Sequence, residues 1–163
     1  MDSSAPRPQG RLSNRVRLDD TDRLILKELM SDARIPNNVL ASKAGIAPST
    51  CLGRVRALRE AGIIRGFHAS VDLEALGLIV FALISVRVNS QARNKMLAIA
   101  QRLRALPNVQ SVFLLAGDQD FFVHVACGTP KELRDFIAAH LASDPAIANT
   151  QTNLVFDHLT PGD

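Results

Sequence analysis

Ser49, Thr50, Gly53, Arg54 and Arg56, followed at a short distance by Arg65 and His68, are the residues whose types and spacing could do chemistry, and that chemistry is contact with nucleic acid. Hydroxyls and unbonded amides in the first turn of a helix hold phosphate. A guanidinium reaches guanine O6 and N7 in the major groove, or a phosphate. A glycine between them lets the helix come close to base edges. Arg65 and His68 are cations of the kind that touch the phosphate backbone and add affinity rather than sequence choice. For His68 taken alone, a partly exposed surface histidine is the plainer reading.

Such residues read DNA only if the chain positions them, and the flanking sequence is suited to that. Asn37 to Ala44 can form a short helix, Gly45-Ile46-Ala47 a turn, and Pro48 to Ala61 a second helix that Gly62 stops. Two short helices joined by a Gly-containing turn form a helix-turn-helix, whose second helix enters the major groove. In that helix Cys51, Val55 and Leu58 fall at i, i+4 and i+7, with Leu52 beside them, as an inward stripe. Thr50, Gly53, Arg54 and Ala57 fall opposite. Amphipathic helices with a solvated charged face are far commoner than DNA readers, so the helix alone does not decide the matter. Its neighbours add weight: Ile63 to Asp72 reads as a basic hairpin, or wing. Leu18 to Asp22 caps a further helix over Arg23 to Ala33, with Ile25, Leu26, Leu29 and Met30 as its buried stripe. These elements together predict a winged helix-turn-helix over residues 18–72.

Charge is distributed accordingly. Residues 1–68 carry 12 Lys/Arg and 7 Asp/Glu, a net of +5, and residues 69–163 carry 7 and 9, a net of −2, within a chain of formal charge +3. A basic half beside a near-neutral half suggests a polyanion-binding module joined to something else. Residues 1–17, with Pro6, Pro8, Gly10 and several arginines, read as a disordered basic arm that adds non-specific affinity or is an inert tail. The chain has 2 cysteines, Cys51 and Cys127, assigned to different domains; a disulfide is not expected, and a reducing cytoplasm is. No apolar run approaches the ~18 residues of a membrane span. No phosphate loop, metal-ligand cluster or nucleophile motif is present, and His68, His124, His140 and His158 are scattered, so no enzyme and no cofactor are expected.

Beyond a short hinge at residues 73–77, the periodicity changes. Leu78 to Val88 is a β-rich run, Gln91 to Leu106 has helical spacing, and Val109 to Leu115 and Phe121 to Cys127 are strands about the turn Ala116 to Asp120. Thr129 to Glu132 is a capping box opening a helix with Leu133, Phe136, Ile137 and Leu141 on its core face. Ile147 to His158 is a last strand, and residues 159–163 are a tail. The order is β-α-β-β-α-β, the ferredoxin-like arrangement, spanning residues 78–158. The fold class is therefore α+β: an N-terminal winged helix-turn-helix plus a C-terminal βαββαβ ferredoxin-like domain. Its strands are apolar on both sides, with Phe81, Leu83, Phe113, Leu115, Phe121 and Val123 alternating with Val80, Ala82, Ile84, Val112, Leu114 and Phe122. With helices on one face only, the other needs a partner, and a sheet-to-sheet homodimer is expected.

The chain resembles the Lrp/AsnC (leucine-responsive, feast/famine) regulators through Leu18 to Leu29, Leu40-Ala41, Arg54 to Ile64, and Gly117-Asp118-Gln119-Asp120-Phe121. The resemblance covers roughly residues 17–158. It implies a transcriptional regulator that binds double-stranded DNA, dimerises through its C-terminal domain, assembles to tetramers or octamers, and takes a small amino acid between dimers. It further implies an effector site at Gly117, Asp118, Gln119 and Asp120, with Asp120 accepting the ammonium group and Thr150 and Thr152 supplying hydroxyls. By itself a turn with carboxylates and an amide is equally consistent with a solvated hairpin, though Gly117 there can provide unusual backbone angles and close approach.

Overall fold

The computed structural model describes residues 17–157. Two units divide the chain between Ser70 and Val71. The expected basic arm, apart from Arg17, lies outside the described residues, as do His158 and the tail.

In the first unit α1 (Asp20–Ser31), α2 (Asn37–Lys43) and α3 (Pro48–Glu60) follow one another. The first helix begins three residues earlier than its periodicity implied, because Asp19 caps it. The Asp19 carboxylate accepts from the Asp22 amide at 2.8 Å, and the Asp22 carboxylate accepts from the Asp19 amide. Ile25, Leu40, Ala41, Cys51 and Leu58 form the buried centre, with Leu26, Leu29, Ile46, Val55, Ile63 and Ile64 packed around it. Met30, expected in the buried stripe, is 87% exposed, and Leu52 also points outward. Each lies about 100° or more from its helix's buried centre, which three-helix packing leaves uncovered. Gly45 and Gly62 take φ of 66° and 70°, the left-handed values that end α2 and α3.

The wing does not form as a hairpin. Among the described residues, 61–79 contain no strand. Ile63 and Ile64 instead donate to the Leu58 carbonyl, prolonging the end of α3. A lone two-stranded ribbon is marginal without a buried side, and both Phe67 and Val71 are exposed. The hinge is a single turn, in which the Asp72 carboxylate accepts from the Glu74 and Ala75 amides.

The second unit contains β1 (Val80–Val88), a 3₁₀ segment (Ser90–Lys95), α4 (Met96–Arg104), β2 (Val109–Leu114), β3 (Phe121–Cys127), α5 (Pro130–Ile137), a π turn (Ala138–Ala142) and β4 (Ile147–Val155). The sheet is antiparallel in the order β2-β3-β1-β4, so the ferredoxin-like arrangement is as expected. Thr129 caps α5 by accepting from the Glu132 amide. The Glu132 carboxylate accepts from Gly128 rather than from Thr129, so the capping box is displaced by one residue.

Register determines the faces. Ala82, Ile84, Val86 and Val88 share the helix-covered side with Phe121, Val123, Val125 and Cys127, and pack against Ile99, Leu103, Leu133, Phe136 and Leu141. Phe81, Leu83, Phe122 and His124 therefore face the other way, as does Phe113, which pairs with Phe122. That face is apolar at Phe81, Leu83, Phe113 and Phe122 but polar at Ser85, Arg87, Ser111 and His124, and along β4, where Gln151 and Asn153 lie level with Ser85 and Leu83. The expectation of a wholly apolar second face is corrected to this extent.

Candidate nucleic-acid interface and ligand-binding turn

The start of α3 is held in place by Asn37, whose side-chain amide donates to the Pro48 carbonyl at 2.9 Å. Pro48 occupies the first turn and has no amide to leave unbonded, and no side chain caps the helix. Ser49 and Thr50 are exposed there, with amides that lack intrahelical partners. Gly53 and Arg56 extend this exposed face, and a Cβ at Gly53 would meet nothing within 4 Å, so the helix surface is flat at that point. Arg56, Arg59 and Arg65 line one groove with Glu60, Ile64 and Gly66. Arg59 lies over the Phe67 ring at 6.0 Å from its centroid, which keeps the end of the helix and the chain beyond it together. His68 is exposed, and its imidazole folds back over Gly66, where a Cβ would come within 2.7 Å of Nε2.

Arg54 is the exception among the expected base-reading residues. It lies on the flank of α3, half-buried, and its Nη1 donates to Asp19 Oδ2 at 2.7 Å and Asp22 Oδ1 at 2.8 Å. The guanidinium is thus bound to the start of α1, and the expected free approach to a base edge is corrected. The helical wheel put Arg54 on the polar side; it could not show that acidic residues from α1 would meet it there. Sequence reasoning also omitted Arg59. Its spacing of three residues from Arg56 was a usable signal, since residues three apart share a helix surface.

The same cluster has a pH consequence. The Asp19 carboxyl is held below its ordinary value of 3.8, first by the Asp22 amide and then by Arg54. A carboxyl depressed on folding contributes stability that is complete above its unfolded value and is lost as pH falls through the folded one. In urea titrations followed by helical circular dichroism, the first unit should lose stability as pH drops below 3.8, and Asp19→Ala should flatten that acid limb. An unchanged limb in the variant would assign the acid sensitivity to other carboxyls.

In the second unit, Asp120 is buried at the end of the turn joining β2 and β3. Its amide donates to the Val86 carbonyl and its carbonyl accepts from Leu115. Its Oδ2 accepts from the Val88 amide at 2.8 Å, past the last β1–β3 residue pair, so the side chain extends the ladder by one bond. Its Oδ1 lies 3.9 Å from Arg93 Nη2. The carboxylate expected to receive an ammonium group is therefore largely committed to the framework. Asp118 is exposed and Gln119 half-exposed beside it. Gly117 has φ of 158°, and a side chain there would meet nothing within 4 Å, so the expected close approach is not made within the chain. Thr150 and Thr152 oppose Val86 and Ile84 from β4, placing Thr150 level with Phe121 and Thr152 level with Val123, two residue pairs further from the turn. Arg93 was not among the expected site residues, and no local signal in the sequence pointed to it.

Both cysteines are buried and free, and burial raises both thiols above their ordinary range. Among the described residues no group of His, Cys, Asp and Glu could hold a metal ion, and no helix is long and apolar enough to cross a membrane.

Comparison with known proteins gives this pair of sites a context. Residues 81–162 match the model of the Lrp/AsnC ligand binding domain, and residues 18–65 match that of a winged helix-turn-helix DNA-binding domain. The chain belongs to the Lrp/AsnC family. Among Lrp/AsnC relatives, the HTH-type transcriptional regulator AldR of Mycolicibacterium smegmatis is 50% identical over 142 residues, covering 87% of this chain and 83% of the relative. The transcriptional regulator AzlB of Bacillus subtilis is 35% identical over 140 residues, covering 86% of this chain and 89% of AzlB. The crystal structure of MtbAldR matches with a TM-score of 0.77 at 45% identity, over 88% of this chain and 98% of that one. A transcriptional regulator of Neisseria meningitidis in complex with L-Met matches with a TM-score of 0.79 at 28% identity, over 89% and 94%. This Lrp/AsnC chain is accordingly a transcriptional regulator with a DNA-binding and a ligand-binding domain, and not an enzyme.

Proposed function

We propose that this protein is a cytoplasmic homodimeric regulator that reads double-stranded DNA through α3 and changes its DNA occupancy when a small amino acid binds between dimers. The observation that carries the reading is the division of α3 into a buried side, Cys51 and Leu58, and an exposed side of hydroxyls, a glycine and Arg56, continued by Arg59 and Arg65. Ser49, Thr50 and Gly53 approach the groove floor, and Arg56 contacts a base or phosphate. Arg65 and His68 lie along the backbone. A dimer presents two such helices to a pseudo-palindromic site, and dimers associate further, to tetramers or octamers, to bend or wrap DNA.

The effector sits at the β2–β3 turn. Asp118 takes its ammonium, Gln119 and the amides about Gly117 take its carboxylate, and Thr150 and Thr152 border the site across β1. Asp120 holds the turn in shape. The L-Met complex of the Neisseria regulator supports an amino acid as the ligand class. The ligand alters DNA occupancy only through different affinities for the assemblies it joins.

The test is to select duplexes from a random-sequence pool with purified protein and titrate the enriched duplex with and without each amino acid. An enriched sequence whose affinity shifts with one amino acid is expected. Arg56→Ala should cost about 1–3 kcal/mol and relax specificity at one position if it reads a base, or lower the salt slope by about one if it holds phosphate. No enrichment would sink the DNA reading. Enrichment indifferent to every amino acid would sink the effector reading.

A further inference from the structure

We infer that Arg54, Asp19 and Asp22 form a clamp that sets the angle of the recognition helix, making Arg54 a positioning residue for sequence-specific binding rather than a DNA contact. The inference rests on the assignment of α3 as the DNA-reading helix. The Arg54 Nη1 donates both to Asp19, which caps α1, and to Asp22 in its first turn, at 2.7 and 2.8 Å. Those carboxylates are also joined to each other's amides by the capping box. Arg54 therefore grips a rigid helix start rather than a loose side chain. Its guanidinium is raised above its ordinary value, first by Asp22 and then by Asp19, so both bonds favour the charged form.

The clamp occupies a place that needs one. Below Arg54 along α3, Cys51, Val55 and Leu58 anchor the helix to the buried centre. That stripe is narrow, with Leu52 and Ala57 on either side exposed, so the buried side chains hold α3 along one line only. Two hydrogen bonds from Arg54 Nη1 on the flank of α3 to the start of α1 oppose rolling, and hence fix where Ser49, Gly53 and Arg56 point. Base readout depends on that angle because its hydrogen bonds are short and directional, whereas non-specific attraction to phosphate does not. Loss of the clamp should thus lower the preference for the cognate duplex more than the affinity for any duplex.

The decisive experiment exploits a sign. Asp22→Asn removes a negative charge close to a DNA-binding helix, and electrostatics alone would raise DNA affinity. The clamp predicts the reverse: affinity for the duplex enriched by wild-type protein falls about fivefold or more, while affinity for a scrambled duplex holds or rises. Arg54→Ala should give a similar loss with an unchanged salt slope, and the double variant should lose no more than either single one. Arg54→Lys, which keeps the charge on a differently shaped side chain without the planar guanidinium, should fall between. Melting curves on every variant establish the folded fraction. Tighter cognate binding by Asp22→Asn, a salt slope reduced by about one in Arg54→Ala, or a lower melting temperature with an unchanged specificity ratio would each overturn the clamp. Wild-type protein that prefers no duplex would overturn the DNA reading, and the clamp with it.

Discussion

Phe113→Asp should convert the proposed dimer to a monomer. Phe113 is 51% exposed in the single chain and pairs with Phe122 on the sheet face opposite α4 and α5. Substitution there removes little from the protomer's own core, so the second unit should melt near the wild-type temperature. In a sheet-to-sheet dimer with two-fold symmetry the change occurs twice, placing unpaired carboxylates into apolar contact. At ~2 kcal/mol for each buried polar group without a partner, dimer dissociation should rise at least about a thousandfold. Light scattering would show the mass of a single chain, and affinity for a two-half-site duplex should collapse towards that of one recognition helix. A variant that remains dimeric while folded would place the contact elsewhere, and Ile79, Leu154 and Phe156, all strongly exposed, would then be the surface to test. His124→Asp on the same open face is a second probe, and must act in the same direction if the face and not the single ring is what matters.

Asp120→Ala should be the most destabilising polar substitution in the ligand-binding domain. The Val88 amide, on a residue 2% exposed, would lose its acceptor. A buried donor left without a partner costs about 1–3 kcal/mol, more when the lost acceptor was charged. For a domain of this size that is a fall of the order of 10 °C in Tm. Asp120→Asn keeps an oxygen for the Val88 amide and loses only the charge, so it should melt closer to wild type. The pair also resolves the role of Asp120 in ligand binding. If Asp120 maintains the turn and Asp118 receives the ammonium, Asp120→Asn should bind the amino acid nearly as well as wild type by calorimetry, whereas Asp118→Asn should not. If Asp120→Asn folds normally and binds nothing, the buried carboxylate is itself the ammonium acceptor, and the assignment of Asp118 is wrong.

Local rules made much of this architecture legible. Helix starts at Pro48 and Pro130, helix stops at Gly45 and Gly62, and the switch from helical to strand periodicity near residue 78 depend on bonds between residues a few positions apart. Those bonds are the same wherever the segment finally packs. The β-α-β-β-α-β order followed, while the sheet order β2-β3-β1-β4 was given by the folded chain. Strand alternation likewise marked both sheet faces as carrying apolar residues, but it grouped Phe121 and Val123 with Phe81 and Leu83, and only the register puts Phe122 there in their place.

Long-range contacts were decided only by the folded chain. Arg54 looks like a DNA contact on a helical wheel, and Asp19 and Asp22 look like a cap; the crossing of α1 and α3 joins them. Asp120 looks like an exposed turn carboxylate, but the return of β1 beside β3 carries the Val88 amide to it, and burial follows. The wing shows the converse: a run whose apolar residues flank a glycine suits a hairpin, yet among the described residues 61–79 form no strand, and Phe67 and Val71 stay exposed. In each case the polar group's role is decided by which partner reaches it first. For a charged or amide group that partner is set by three-dimensional neighbours tens of residues away, whereas for a helix end it lies within the next turn of the chain.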